Sequence, residues 1–223
     1  MKSALRLFRL FGSFQVGIAL LSTVALLVFW GTLFEARAGM EPGTVRFFKS
    51  WFLSVAGIFP FPAMKSLAAL LFLHLLSVVL FRIPHTRKSL GILLVHASFL
   101  ILIAGSLAGE PFRRSFDAVG VSGATVVLDS ASGTSFKILS SDSAGCNVLL
   151  AGQNAPVRIG WNFPQKVGAF TVYLGESAEM LPGVLAYRFW VRSDPFAFVP
   201  YLFSAVLLFG IFWTLVVKLR GRG

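Results

Sequence analysis

Four long apolar runs without a charged residue set the pattern of this chain. They cover residues 10–34, 66–81, 89–109 and 195–217. A helix needs about 20 mostly apolar residues to cross a hydrocarbon core about 30 Å thick, and the third and fourth runs reach that length unaided. The second run reaches it if its helix starts near Pro62 or Met64, with the Lys65 ammonium group extending to the interface. The pattern therefore predicts four transmembrane helices.

The connection between the first two spans contains a shorter apolar stretch, FFKSWFLSVAGIF, at residues 47–59. Its thirteen residues are too few to cross a bilayer, while its aromatic side chains and Lys49 are typical of a helix that lies in the membrane interface. Pro60 and Pro62 would end such a helix, because proline has no N–H to donate. The sequence therefore predicts an interfacial helix near residues 46–59.

From residue 110 to residue 194 the apolar runs become short and are separated by Gly, Ser, Asp and Pro. This spacing predicts antiparallel β-strands in a small sandwich or barrel-like domain. The strand-like stretches are 125–128, 135–139, 147–152, 156–161, 169–174 and 184–191. We therefore expect a membrane domain over residues 1–109, a β-rich domain between helices three and four over residues 110–194, and a last transmembrane helix with a short tail over residues 195–223.

The positive charges predict how the chain is oriented in the membrane. Residues 1–9, 82–88 and 218–223 together carry nine of the twenty Lys and Arg residues and no Asp or Glu. Short loops rich in Lys and Arg stay on the cytoplasmic side. We therefore expect a multi-pass protein of the inner (cytoplasmic) membrane, with both termini in the cytosol and an extracytoplasmic β-rich domain. These dispersed charges suit membrane lipid headgroups and form no single basic face, which argues against nucleic-acid binding.

The composition leaves room for four spans, one small outer domain and little else. The chain has 223 residues, 56% of them hydrophobic, and a mean hydropathy of +0.80. Its one cysteine, Cys146, cannot form a disulfide within the chain. The sequence has no paired carboxylates, no metal-ligand spacing, no phosphate-binding glycine loop and no nucleophile elbow. It therefore predicts no catalytic residue.

Two of the three histidines lie inside predicted spans and are the main candidates for chemistry. His74 and His96 are each eight residues from a basic residue at the cytosolic end of their span, Arg82 and Lys88 respectively, which is about 12 Å along a helix. An ionisable residue inside a span suggests a functional site, and neutral imidazole is a good iron ligand. The alternative for each is an interhelical hydrogen bond. His85, in the basic turn, has no predicted role.

The third span and its surroundings resemble the ResB-type (CcsB-type) proteins of system II cytochrome c biogenesis. The segment VHASFLILIAGSLAG, residues 95–109, is similar to the family's third span, in which a His is followed by a small residue, an apolar run and a Gly near the outer end. Other similar segments occur in the family's order: LLSTVALLVFWGTLFE, RFFKSWFLSVAGIF, WNFPQKVGAFTVYLGE and VRSDPFAFVPYLFSAVLLFGIFW. The outer domain is shorter here than is usual in the family.

The resemblance implies a function and a partner. Such proteins act with a haem-handling membrane protein of the CcsA (ResC) type, and together they bring haem to the outer face and assist its attachment to apocytochrome c. The resemblance also implies that His96 is an iron ligand for transiently bound haem, paired with a histidine of the partner. His74 matches no family motif, so its place as a second cofactor-binding residue rests on its depth. Because the chain lacks the partner's tryptophan-rich haem segment, it would be a non-catalytic or co-catalytic subunit of the synthase.

Three functions remain open on the sequence. The first is this subunit of a haem export and cytochrome c synthase complex. The second is a membrane cytochrome b or quinone-reactive anchor subunit, in which His74 and His96 ligate one haem within the chain. The third is a cofactor-free assembly factor that binds partner helices through small-residue faces. A cytochrome b would keep its haem when purified alone, whereas the biogenesis subunit would bind haem appreciably only with its partner.

Overall fold

A computed structural model of the chain describes residues 2–55, 58–142, 144–181 and 184–220. The chain divides into two compact units. One unit combines residues 1–108 with 197–223, and the other consists of residues 109–196. The first is mainly helical and the second is built mainly of β-strands.

The helical unit contains the predicted spans. Its α-helices in the described residues are α1 (Lys2–Phe11), α2 (Phe14–Ala38), α3 (Met40–Gly43), α4 (Met64–Phe81), α5 (Leu90–Gly109) and α6 (Val199–Arg220). Helices α2, α4, α5 and α6 are long and apolar enough to cross a membrane, so the four predicted spans are present as candidate membrane-spanning helices. Many of their large apolar side chains are exposed, among them Trp30, Phe99 and Phe212. Such a surface suits contact with lipid tails.

The first span is separated from α1 by a short break. The hydroxyl of Ser13 accepts a hydrogen bond from the N–H of Val16 and caps the start of α2. At the other end, Gly39 has φ of 95°, a conformation that a residue with a Cβ adopts only at a cost in energy. The N–H of Gly39 donates to the carbonyl of Glu35, so the helix ends there with its last turn closed.

The structure corrects the prediction of an interfacial helix near residues 46–59. A short π-helix (Thr44–Phe48) is followed by a two-stranded antiparallel hairpin of β1 (Phe52–Val55) and β2 (Phe59–Pro62). Ala56 and Gly57, in the predicted helix, lie outside the described residues. Proline explains the difference, because it lacks an N–H and disfavours helical geometry in the residue before it, yet it is accepted in a strand with an open edge.

The hairpin is held by packing against the two neighbouring helices. The buried residues of this cluster are Leu27, Phe47, Leu53, Ala63 and Leu67, from α2, the π-helix, β1 and the start of α4. Phe47 also lies against Phe34, with ring centroids 5.3 Å apart. The aromatic residues in this stretch, read from the sequence as the apolar face of a helix, therefore serve partly as a small core.

Helices α5 and α6 meet through glycine. A Cβ placed on Gly91 would lie 2.6 Å from the carbonyl oxygen of Gly210, and one placed on Gly210 would lie 2.9 Å from the carbonyl oxygen of Gly91. Nearer the other end of α5, Gly105 lies against Val199 in the same way. Small residues allow membrane helices to approach closely, so these glycines fix where α5 and α6 cross.

The second unit contains two four-stranded antiparallel sheets. Its strands are β3 (Arg114–Val121), β4 (Thr125–Asp129), β5 (Thr134–Asp142), β6 (Gly145–Leu150), β7 (Val157–Gly160), β8 (Gln165–Val167), β9 (Phe170–Leu181) and β10 (Val184–Ser193). One sheet has the order β3-β10-β9-β8 and the other the order β4-β5-β6-β7. The presence of β-sheets after the third membrane helix in the chain agrees with the sequence, whereas their location outside the cytosol stays a prediction.

The inward faces of the two sheets share one apolar core. Phe136 from one sheet and Phe189 from the other make an edge contact with ring centroids 5.2 Å apart, and both are almost fully buried. The sequence predicts six of the eight strands but misses β3 and β8. Strand β3 turns small residues inward, Ala118 and Gly120, and therefore lacks the large apolar positions that mark a strand. Strand β8 has three residues.

Candidate functional site

A groove of about 810 Å³ lies in the helical unit between the start of α2, α4 and α5. Most of its walls are apolar. The residues that line it are Gly12, Ser13, Phe14, Gln15, Gly17, Ile18, Leu21, Leu71, His74, Leu75, Val78, Arg82, Val95, His96 and Phe99. Both membrane histidines therefore face one cavity, as their matched depth in the sequence suggested. We call it the histidine groove.

The depth of the two histidines follows from their positions in the helices. His74 lies seven residues before the end of α4, and His96 lies six residues after the start of α5. Since a helix rises about 1.5 Å per residue, the two side chains lie about 9 to 11 Å from the ends joined by the basic turn. That turn is short, so it keeps these two ends near each other.

His74 is held by the break between α1 and α2. Its Nδ1 lies 2.8 Å from the carbonyl oxygen of Phe11, the last residue of α1. Because a carbonyl can only accept, Nδ1 carries the proton and donates. The other nitrogen, Nε2, lies against Gly17, where an added Cβ would be 2.8 Å from it. The side chain is only 7% exposed, so it leaves little room around this nitrogen for a metal.

His96 is held differently. Its Nδ1 lies 2.9 Å from the carbonyl oxygen of Ile92, one turn earlier in the same helix, so this nitrogen also donates. The neutral ring then carries its lone pair on Nε2, the tautomer that binds metals through Nε2. Within the described part of the chain, Nε2 of His96 has no hydrogen-bond partner. The side chain is partly exposed and lines the histidine groove.

A row of donors on α4 extends the contact made by His74. The hydroxyl of Ser77 donates to the carbonyl oxygen of Phe8 at 2.6 Å, and Nη2 of Arg82 donates to that of Arg9 at 3.4 Å. The last carbonyls of a helix have no partner within the helix and need donors from elsewhere. The donor row, defined as His74 and Ser77 of α4 and Arg82 directly after its end, therefore fastens the end of α1 to α4. Sequence analysis missed this role because the accepting carbonyls are more than sixty residues away along the chain.

The polar groups of the histidine groove are few and of different kinds. Arg82 supplies a positive charge, and Ser13 and Gln15 supply neutral polar groups. The described residues contain no group of three or more His, Cys, Asp or Glu side chains that could hold a bare metal ion. A metal in this groove would therefore have to bring most of its own ligands, as the iron of a porphyrin does.

The β-rich unit has no comparable site among its described residues. Burial raises the pKa of the Cys146 thiol to about 11, so this side chain stays protonated and is a poor nucleophile at neutral pH. Arg158 donates two hydrogen bonds to the carboxylate of Asp142, at 2.8 and 2.9 Å, and lowers its pKa. This ion pair is exposed and joins β5 to β7 across the sheet.

Comparisons with known proteins add little to this geometry. No protein-family model and no curated protein matches the sequence. Among solved structures, the chain is similar to one titled "Cytochrome c Heme Lyase CcmF", with 13% sequence identity and a TM-score of 0.35. The similarity covers 68% of this chain and 30% of that chain. Values this low establish neither a shared fold nor a shared function.

Proposed function

We propose that this protein is a membrane subunit that handles haem during cytochrome c maturation, with His96 as the residue that would bind the iron. The observation that carries the proposal is the state of His96. Its ring is fixed by the bond from Nδ1 to Ile92, while Nε2 is left for a ligand at the wall of a groove within the helical unit. The resemblance of residues 95–109 to the ResB-type third span supports the same assignment.

The groove residues fit the chemistry of haem. A volume of about 810 Å³ is within the usual range for cofactor pockets, roughly 300 to 1,000 Å³, and the apolar walls suit a macrocycle. Arg82 would pair with the propionate carboxylates, since a guanidinium binds carboxylates through paired hydrogen bonds. When bound, haem would supply the iron and the vinyl groups that react with apocytochrome cysteines. The chain's own part is to hold, orient and shield it.

The geometry favours separate roles for the two histidines. The side chain of His74 is buried with Nε2 next to Gly17, and its Nδ1 is already bonded to the carbonyl of Phe11. We therefore infer that His74 positions the groove wall and that the second iron ligand comes from a partner. A haem-handling membrane protein of the CcsA type would supply that ligand, and apocytochrome c would be the acceptor. This arrangement disfavours a membrane cytochrome b with both iron ligands in this chain.

The proposal predicts that His96→Ala lowers the yield of holocytochrome c in cells. The substitution removes one of the two proposed protein ligands of the iron, so haem would be delivered less efficiently. Added imidazole should restore part of the yield, because it can fill the vacant coordination position. The measurement is haem-stained cytochrome c per cell, normalised to the amount of this protein in the membrane.

The matched control is His85→Ala, which removes a histidine from the basic turn outside the groove. It should leave the yield unchanged. Equal yields from His96→Ala and His85→Ala would remove iron ligation by His96 and favour a cofactor-free assembly factor. Loss of yield without any recovery in imidazole would point to a packing role for the side chain.

A further inference from the structure

A second groove lies in the helical unit, on the side of α2 that faces the β1–β2 hairpin. Its volume is about 580 Å³. It is lined by Thr23, Leu26, Leu27, Trp30, Arg46, Phe47, Leu53, Ser54 and Phe61. The hydroxyl of Thr23 is satisfied by the carbonyl of Ala19 in its own helix, so the groove is apolar apart from one end. We call it the hairpin groove.

Arg46 provides the charge at that end. Its guanidinium lies over the ring of Phe34, 5.3 Å from the centroid, and Nη2 donates to the carbonyl oxygen of Ser54 at 3.2 Å. Among the side chains that the structure describes, which exclude that of Glu41, no carboxylate forms an ion pair with Arg46. The nearby Glu35 instead accepts a hydrogen bond from Thr44 at 2.7 Å. Arginine has five N–H donors, so most of those on Arg46 are left for a ligand.

The groove has an apolar end and a charged end at different depths along the span. Helix α2 has 25 residues and is about 37 Å long. Phe34, beneath the Arg46 guanidinium, lies four residues before the end of α2, or about 6 Å from it. Thr23, at the other end of the groove, lies fifteen residues before that end, or about 22 Å. If α2 is centred on a hydrocarbon core about 30 Å thick, the charge lies near the boundary of that core and the apolar wall reaches its middle.

From this arrangement we propose that the hairpin groove binds one phospholipid, with its phosphate on Arg46 and an acyl chain along Leu26, Leu27 and Trp30. A guanidinium binds phosphate through paired charge-assisted hydrogen bonds, which a lipid without a phosphate group cannot accept. An unpaired Arg at headgroup depth gains most from an anionic group held beside it. Free phosphate would meet the charge but would leave the apolar wall uncovered.

Lipid binding to the purified full-length chain tests this site. The chain is washed extensively in detergent, and phosphatidylglycerol, diacylglycerol with the same acyl chains, or inorganic phosphate is then added. Bound lipid is counted by native mass spectrometry. We expect one phosphatidylglycerol to bind more tightly than diacylglycerol, and inorganic phosphate not to compete with it. Arg46→Gln should weaken phosphatidylglycerol binding by about tenfold, the effect of losing a hydrogen bond to a charged group.

Arg37→Gln is the matched control, because Arg37 is an exposed cation in the last turn of the same helix but does not line the groove. It should bind lipid as the unmodified chain does. A second variant, Thr23→Trp, fills the apolar end and should also weaken binding, although Arg46 is intact. Equal binding by Arg46→Gln and Arg37→Gln, or equal affinity for diacylglycerol and phosphatidylglycerol, would overturn the proposal. Competition by inorganic phosphate at equal concentration would show a simple anion site instead.

Discussion

At the scale of single residues, the two membrane histidines differ in the nitrogen that remains for chemistry. Both donate from Nδ1 to a backbone carbonyl, which leaves the lone pair on Nε2. The side chain of His96 is partly exposed in the groove, whereas that of His74 is buried with Nε2 against Gly17. The sequence could identify both residues by their depth. It could not show that their surroundings differ, because the difference depends on the carbonyl of Phe11 and on the close approach of Gly17, which has no side chain.

His74→Ala should loosen the end of α1 from α4 and leave haem ligation in place. The substitution removes the donor to the Phe11 carbonyl, and an unsatisfied buried carbonyl costs about 1 to 3 kcal/mol. His74→Gln should restore much of this stability, since its amide can also donate. The measurement is the thermal unfolding midpoint of the purified chain, together with protease cleavage of the segment before α2.

If His74→Ala and His74→Gln unfold at the same temperature as the unmodified chain, the bond to Phe11 does not hold α1. If His74→Ala abolishes haem binding while cleavage before α2 is unchanged, His74 is an iron ligand. That second result would favour a cytochrome b with both ligands in one chain.

At the scale of elements, the crossing of α5 and α6 depends on the absence of two side chains. Gly210→Leu should lower the thermal unfolding midpoint, because a Cβ there already meets the Gly91 carbonyl and Leu94 at about 3 Å. Overpacking of this kind costs about 1 to 3 kcal/mol. Ala205→Leu adds similar bulk to an exposed position of α6 and should have little effect. Equal midpoints for the two variants would mean that the glycine contact does not hold the helices together.

The elements also show where sequence patterns are informative. The four spans were predictable because a helix needs about 20 apolar residues to cross a bilayer, and these residues form a long uncharged run in the sequence. The hairpin at β1 and β2 was not, because an aromatic stretch of thirteen residues suits an interfacial helix as well as a small packed hairpin. The prolines at positions 60 and 62 were the available signal. They mark a strand with an open edge as readily as the end of a helix.

At the scale of the whole molecule, the helical unit holds the histidine groove and the hairpin groove, and the β-rich unit holds a buried, protonated cysteine. The histidine groove contains one partly exposed imidazole, His96, and one buried imidazole, His74. Under the proposed function, a single accessible imidazole would leave the second iron ligand to a partner.

The visible absorption spectrum of the chain purified together with its membrane partners tests the central claim most directly. We predict a Soret band of six-coordinate haem that is lost or shifted in His96→Ala, returns with added imidazole, and is unchanged in His85→Ala. The chain purified alone should show little of this band. A His96→Ala complex with the same Soret and α bands as the unmodified complex would contradict iron ligation by His96, and with it the proposed function of the groove.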